Sequence, residues 1–111
     1  MQFEPGSTHT AHLQVKNGAV KEYIYALAFT MQYSLPSPVD VPLGQRTITL
    51  DPQGEGVVDM PITFSQTEQQ AVLVIGAIEE TTGIDLGIIY EEPVDLVVIS
   101  PPEATVTLYW D

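Results

Sequence analysis

Two clusters of carboxylates are the residues of this 111-residue chain whose types and spacing could do chemistry. The first flanks a turn at Gly83 and consists of Glu79, Glu80 and Asp85. The second flanks Pro93 and consists of Glu91, Glu92 and Asp95. Calcium takes about six to eight oxygen ligands, often from several carboxylates and carbonyls of one loop. The Gly83 cluster is therefore the candidate calcium site. Neither cluster has the Asp-x-Asp-x-Asp-Gly spacing of a calcium loop, so solvated loop acids are the alternative.

The residue types and spacings of this chain give little reason to predict catalysis. Glycoside hydrolases use two acids about 5–10 Å apart in a cleft, but a chain with 15 acids contains such pairs without any catalytic role. The serines stand in turn contexts without a nucleophile elbow or a histidine partner. The chain has no cysteine, which excludes disulfides, thiolate metal sites and a cysteine nucleophile. We predict that the protein is not an enzyme.

Histidines and aromatic residues are the other possible ligand-binding groups. His9 and His12 are three residues apart on a predicted strand, so they point to opposite faces and cannot hold one metal ion together. The tyrosines could form a platform on which a sugar stacks. Tyr109 alternates with the apolar residues of the last predicted strand, whereas Trp110 shares their face and packs inward. Tyr109 is thus the exposed aromatic residue that we expect to contact a ligand.

The charge of the chain limits its partners. Fifteen acids stand against Lys16, Lys21 and Arg46, which gives a net charge of −12. Three cations cannot neutralise a row of phosphates, so nucleic acid and anionic membranes are unsuitable partners. No apolar run has the length of a membrane span. The remaining partners are neighbouring domains of a parent protein or another protein.

The segment Thr47–Phe64 has the clearest β-pattern. Apolar and polar residues alternate on both sides of a turn that contains Pro52, Gly54 and Gly56. This pattern predicts a β-hairpin with one buried and one wet face. Pro61 in its second arm cannot donate to a sheet, so that arm is expected at a sheet edge or at a bulge.

Further alternating or continuous apolar runs predict the other strands. These runs are Thr8–Asn17, Lys21–Ser34, Ala71–Ile78, Ile84–Tyr90, Val94–Ile99 and Ala104–Trp110. Leu35–Gly44 contains three prolines and is predicted to be a crossing loop between two layers. Glu91, Glu92 and Pro93 are predicted to interrupt the chain between two strands.

Seven or eight short strands without a helix need two sheets to cover their apolar faces. The predicted fold is an all-β, two-layer antiparallel β-sandwich, with a small closed barrel as the alternative. At 111 residues the chain is one domain, spanning 1–111, and we expect it to be a module excised from a longer protein.

Three stretches resemble immunoglobulin-like modules of bacterial and archaeal cell-surface proteins. Pro5-Gly6, followed by a strand that ends in Val15-Lys16-Asn17-Gly18, resembles the stretch that opens such modules. Thr49–Gly54 resembles their Leu-x-Pro-Gly turn, although Gln53 separates the proline from the glycine. Ala71–Gly83 resembles their late strand and acidic turn.

This resemblance implies an extracellular or cell-envelope module of a secreted or surface protein, acting as a spacer, in adhesion or beside carbohydrate. It brings no catalytic residues with it. Three alternatives stay open: a calcium- or carbohydrate-binding module, a subunit of a self-assembling coat or filament, and an intracellular acidic partner of a basic protein.

Overall fold

The computed structural model describes residues 1–97, and these form seven β-strands without a helix. Strand formation follows the period-two alternation of apolar and polar residues along the chain. The strands are β1 (Gln2–Phe3), β2 (Thr8–Lys16), β3 (Tyr23–Tyr33), β4 (Val39–Leu50), β5 (Glu55–Thr63), β6 (Gln69–Glu79) and β7 (Ile84–Leu96).

Two sheets of unequal size face each other. The large sheet has the strand order β1-β7-β6-β3-β4, and the small sheet consists of β2 and β5. All pairings are antiparallel except that of β1 with β7, which is parallel. The order β7-β6-β3-β4 opposite β2-β5 corresponds to the G-F-C-C′ and B-E strands of an immunoglobulin-type sandwich. The predicted all-β, immunoglobulin-like sandwich is confirmed.

The core lies between the inner faces of the two sheets. On β3, Leu27, Phe29 and Met31 have exposures of 0 to 1% because they occupy the inner face of a central strand. The small sheet contributes the inward row of β5 and the residue that follows it. That row consists of Val58, Met60, Ile62 and Phe64. The second arm of the predicted segment Thr47–Phe64 is thus buried on one face, as its alternation predicts.

The predicted hairpin across Thr47–Phe64 is wrong, although its two arms are strands. The turn after Leu50 carries the chain from the edge of the large sheet to the small sheet, where β5 pairs with β2. The arms face each other through side chains instead of sharing backbone hydrogen bonds. A Cβ atom on Gly56 would lie 2.5 Å from Cδ1 of Ile48, so glycine permits this close approach.

The predicted crossing loop Leu35–Gly44 is also wrong in its second half. Val39–Leu50 forms β4, which pairs with β3 in the same sheet, so the connection does not cross between layers. Pro42 is tolerated because β4 is an edge strand and its register shifts beside this residue.

The predicted break at Glu91, Glu92 and Pro93 is absent, and β7 runs without interruption from Ile84 to Leu96. Pro93 is accommodated because β1 pairs with β7 only at Asp95 and Leu96, which leaves the outer side of Pro93 unpaired within the described residues. The short strand β1 was not predicted. The predicted strand Ala104–Trp110 and the end of Val94–Ile99 lie outside the described residues.

The expectation for Pro61 is confirmed, because β5 is an edge strand. Pro61 lies opposite Thr10 on β2. The N–H of Phe64 donates to the carbonyl of Ser7, so these two residues form a hydrogen-bonded pair. In an antiparallel ladder hydrogen-bonded and non-hydrogen-bonded pairs alternate, so every second pair counted from Ser7 and Phe64 is hydrogen-bonded. The pair Thr10 and Pro61 falls between them, which directs the missing donor away from β2.

A buried asparagine joins the two sheets at one end of the sandwich. The side chain of Asn17 is fully buried, and its Nδ2 donates to the carbonyls of Lys21, Leu50 and Asp51 at 2.7, 3.1 and 3.2 Å. Its Oδ1 accepts from the N–H of Ala19 at 2.9 Å. One side chain therefore ties the turn between β2 and β3 to the turn between β4 and β5.

Replacing this side chain tests the connection. Asn17→Ala leaves several buried backbone groups without partners, each worth about 1–3 kcal/mol, so we expect the free energy of unfolding to fall by on the order of 3 kcal/mol. Urea unfolding followed by circular dichroism measures the loss. Gln53→Ala is the matched control, because Gln53 is exposed yet donates to the same turn at Gly18 and Ala19. Equal losses for both variants would contradict the assignment.

Candidate interaction surfaces

The predicted acidic site lies at the tip of the β6–β7 hairpin, as expected. Its first carboxylate is buried, with Glu79 only 5% exposed. Oε1 of Glu79 accepts from the N–H of Ile24 at 3.2 Å and of Thr81 at 3.0 Å. Oε2 accepts from the N–H and the hydroxyl of Thr82 at 2.8 and 2.9 Å. The carboxylate closes its own turn and holds that turn against the start of β3.

These hydrogen bonds determine the ionisation of Glu79. Burial by itself would raise the pKa of the carboxyl group. The hydrogen bonds donated by Thr82, Thr81 and Ile24 stabilise the anion and outweigh that effect, so the pKa is lowered to about 2. The same charge contributes, after burial, to raising the pKa of the Tyr25 phenol. Glu79 therefore works as a charged turn cap.

The other two residues of the predicted site are exposed. Oδ1 of Asp85 accepts from the N–H of Gly87 at 2.7 Å, and Glu80 projects from the hairpin tip. Within residues 1–97, no three His, Cys, Asp or Glu side chains are grouped so that they could hold a metal ion. Calcium binding by Glu79, Glu80 and Asp85 stays a prediction, since carbonyls and water also supply ligands to this ion. Tyr109, the predicted ligand-binding residue, lies outside the described residues.

The two histidines lie on opposite faces of β2, as predicted. His12 contacts the carboxylate of Asp59 on the outer surface of the small sheet. His9 stands against the rings of Phe3 and Phe64, with centroid distances of 4.7 and 6.0 Å. Each histidine therefore has its own structural partner.

The outer face of the large sheet is the main surface that the sequence analysis did not identify. Residues with odd numbers on β3 and β6 point into the core, so the even-numbered residues form the outside. Ile78 and Ile88 are 45% and 58% exposed on this face. Their neighbours on β3 and β6 are small or apolar and none of the outward positions of these two strands is charged, whereas Asp85 lies beside Ile78 on β7. The central members of this outer face are Ala26, Ala28, Val74, Gly76, Ile78 and Ile88.

The apolar character of both faces of β3 was the available signal. Among the described residues only the inner side is covered, because both strands of the small sheet lie on that side. On the outer side Val74 is only 8% exposed, whereas Ile78 and Ile88 are exposed. Exposed apolar side chains grouped in this way are typical of a protein interaction site.

A second candidate surface is a cleft of about 510 Å³ that opens between β2 and β7. We call it the side cleft. Its lining comes from the inner faces of both sheets and includes Ala11, Leu13, Ile62, Ile75, Tyr90 and Val94. Glu92 and His9 add polar groups to this mostly apolar lining.

No helix within residues 1–97 is long and apolar enough to cross a membrane.

The low pKa of Glu79 leads to a pH-dependent prediction. A carboxyl group with a pKa below its ordinary value stabilises the folded state above that value, and the stabilisation is lost as the pH falls toward the folded-state pKa. The melting temperature of the unaltered chain should therefore exceed that of Glu79→Gln most clearly near about pH 6, and the difference should shrink between about pH 5 and pH 2. Glu80→Gln, which removes an exposed neighbouring charge, should follow the profile of the unaltered chain. A difference between the unaltered chain and Glu79→Gln that stays constant across this range would refute the capping role.

Comparison with known proteins finds similar solved structures but no similar family model or curated sequence. No protein-family model matches the chain, and no curated protein matches its sequence. Among solved structures, β-glucosidase from Listeria innocua in complex with isofagomine superposes with a TM-score of 0.66 at 13% identity. The match covers 86% of this chain but only 14% of the glucosidase chain. SSP-19, an MSP-domain protein like family member of Caenorhabditis elegans, superposes with a TM-score of 0.47 at 11% identity, covering 85% of this chain and 91% of that one.

The likeness to the glucosidase concerns the fold alone, because the identity is 13%. The chain spans 14% of the length of that enzyme, so the activity of the whole enzyme does not transfer to it. The strand order of residues 1–97 is that of an all-β sandwich of immunoglobulin-like topology.

Proposed function

We propose that this chain is a non-catalytic, immunoglobulin-like interaction or spacer module of a secreted or cell-surface prokaryotic protein, and that it contacts its neighbour through the outer face. The observation that carries the proposal is the exposed apolar surface at Ile78 and Ile88, where β3 and β6 present no charge. Soluble monomers rarely leave a contiguous apolar face open, so such a face supports contact with another protein surface. The partner is a neighbouring domain of the parent protein or a separate protein.

The extracellular or cell-envelope location rests on the resemblance of Pro5–Gly18 to the opening of surface modules. The absence of cysteine and the acidic surface agree with it but do not require it. Labelling of intact cells with a membrane-impermeant reagent tests this part of the proposal. The chain has exposed Lys16 and Lys21 for such a reagent.

The alternative function, a subunit of a self-assembling coat or filament, is favoured by the edge of β7. Residues 84–93 of this strand have no partner on their outer side among the described residues, and several of their side chains are apolar and exposed. An exposed apolar edge is able to pair with another strand. The two functions differ in the identity of the molecule that is contacted.

Photo-crosslinking in the cells that make the protein tests the outer face. With p-benzoylphenylalanine in place of Ile88, we expect a discrete adduct to a neighbouring domain or another protein. Val57 is the matched control position, because it is 56% exposed, close to the 58% of Ile88, but lies on the small sheet. An adduct between two copies of this chain would support the self-assembling subunit instead. Equal adducts at both positions, or none at Ile88, would contradict the proposed interaction face.

A charge on the outer face should separate binding from stability. Ile88→Lys adds a charge at an exposed position, so we expect the free energy of unfolding to change by less than about 0.5 kcal/mol. The same change should abolish the adduct formed from a photo-crosslinker at position 78. Retention of that adduct at full yield would show that the outer face is not the contact surface.

A further inference from the structure

Asn17 is the only asparagine of the chain, and the residue that follows it is Gly18. The backbone nitrogen of the residue after an asparagine is able to attack the side-chain amide carbon and close a succinimide ring. Glycine in the second position favours this attack, because it has no side chain that shields its nitrogen and it adopts many backbone conformations. Asparagine is counted among the thermolabile residues of proteins. The pair Asn17-Gly18 therefore has the residue types for a spontaneous modification.

The reaction consumes water and needs no other reactant. The nitrogen of Gly18 forms a bond to Cγ of Asn17 and gives up its proton. The bond between Cγ and Nδ2 breaks, and Nδ2 leaves as ammonia. Water then opens the succinimide ring at one of its two carbonyls, which leaves aspartate or isoaspartate at position 17. The net change replaces an amide by a carboxylic acid, which is ionised at neutral pH.

The folded structure holds this amide in a position that opposes the reaction. The side chain of Asn17 has an exposure of 0%, so water does not reach it. Oδ1 accepts from the N–H of Ala19 at 2.9 Å and from the hydroxyl of Tyr25 at 3.4 Å, which fixes the plane of the amide. Nδ2 is surrounded by three carbonyl oxygens, which accept hydrogen bonds but have no proton to give to a departing ammonia.

The product of the reaction does not fit the same position. The carbonyl oxygens of Lys21, Leu50 and Asp51 lie 2.7, 3.1 and 3.2 Å from Nδ2. A carboxylate oxygen in place of Nδ2 would meet these acceptors without a hydrogen to share, and its charge would be buried without a partner. Isoaspartate also adds a carbon atom to the main chain at this turn. Either product therefore weakens the connection between the two sheets.

We propose that Asn17 is a modification site that the native fold keeps closed. Unfolding, or separation of the two turns that Asn17 joins, opens the Asn17-Gly18 pair to succinimide formation. The aspartate or isoaspartate that results opposes return to the native structure, so unfolding becomes irreversible with time. This inference concerns the connection between the sheets and is independent of the function proposed for the outer face.

Mass spectrometry of the unaltered chain tests whether the fold protects Asn17. The chain is kept in mildly alkaline buffer with and without denaturing urea, and the peptide that contains residue 17 is followed for conversion of asparagine to the acid. Conversion in buffer should be slower than in urea by about tenfold or more, because it follows the population of open molecules. Equal rates under the two conditions, or no conversion in urea, would overturn the proposal.

Refolding tests the effect of the modification. After increasing times in urea the chain is diluted into buffer, and the native fraction is measured by circular dichroism. This fraction should fall in step with the fraction of unmodified Asn17. The variant Asn17→Asp provides the aspartate product directly, and it should unfold at a lower urea concentration than the unaltered chain or fail to refold. An unchanged urea midpoint for Asn17→Asp, together with full refolding of the modified chain, would overturn the proposal.

Gly18→Ala is the matched variant for both measurements. A Cβ atom at position 18 would meet no atom of the described residues within 4 Å, and Gly18 is not among the glycines with positive φ. We therefore expect this variant to unfold at the same urea concentration as the unaltered chain. Its methyl group hinders the attack on Asn17, so conversion in urea should be several times slower and the ability to refold should last correspondingly longer. A loss of refolding that is equally fast in Gly18→Ala would assign the loss to another change and would overturn the proposal.

Discussion

The connection between the two sheets at the buried side chain of Asn17 is the constraint on which the rest of the sandwich depends. Among residues 1–97 the two strands of the small sheet pair only with each other, so this sheet is held over the core by side-chain packing and by the turns at its ends. Asn17 binds carbonyls of the β4–β5 turn while its own N–H donates to Gly54. The donor and acceptor groups of this side-chain amide are all satisfied inside the protein. Their hydrogen bonds form in only one relative position of the two turns, whereas apolar packing tolerates small shifts, so the amide fixes the geometry of the connection.

The same solution recurs at the other turns. Gln69, 8% exposed, accepts from the N–H groups of Ser34 and Leu35 and donates to the carbonyl of Leu35, so it closes the β3–β4 turn from the start of β6. Glu79 closes the β6–β7 turn and also binds the start of β3. Each buried polar side chain of the described part thus satisfies turn backbone that a β-sandwich cannot pair within its sheets. No buried side-chain nitrogen or oxygen of residues 1–97 lacks a partner.

The sequence allowed prediction of strands, faces and core but not of strand pairing. Period-two alternation indicates which side of a strand is buried. The same alternation occurs in a hairpin and in two strands that face each other across a core, so it does not distinguish these two arrangements. This is why Thr47–Phe64 was assigned to the wrong pairing. Gly56 was the residue that indicated the facing arrangement, because the side chain of Ile48 occupies the space that a Cβ atom at position 56 would need. The prolines show the same limit: Pro42 and Pro93 indicated edge positions as Pro61 did, and were interpreted as breaks. The role of Glu79 depends on Ile24, 55 residues away, which no local pattern reveals.

The distribution of charge bears on which neighbour suits the outer face. The net charge is −12, while the outward positions of β3 and β6 carry none of it. Acids stand at the margin of this face on β7, where Asp85 lies beside Ile78 and Glu91 beside Val74. Two copies of the chain that approach through this face bring these acids together, and their repulsion opposes association until salt screens it. A partner with basic residues around an apolar centre would instead attract the acids at the margin of this face and bury the apolar side chains in its middle. If the outer face binds as proposed, the charge pattern therefore favours a different domain or protein over a second copy, and the binding should depend on the ionic strength of the medium.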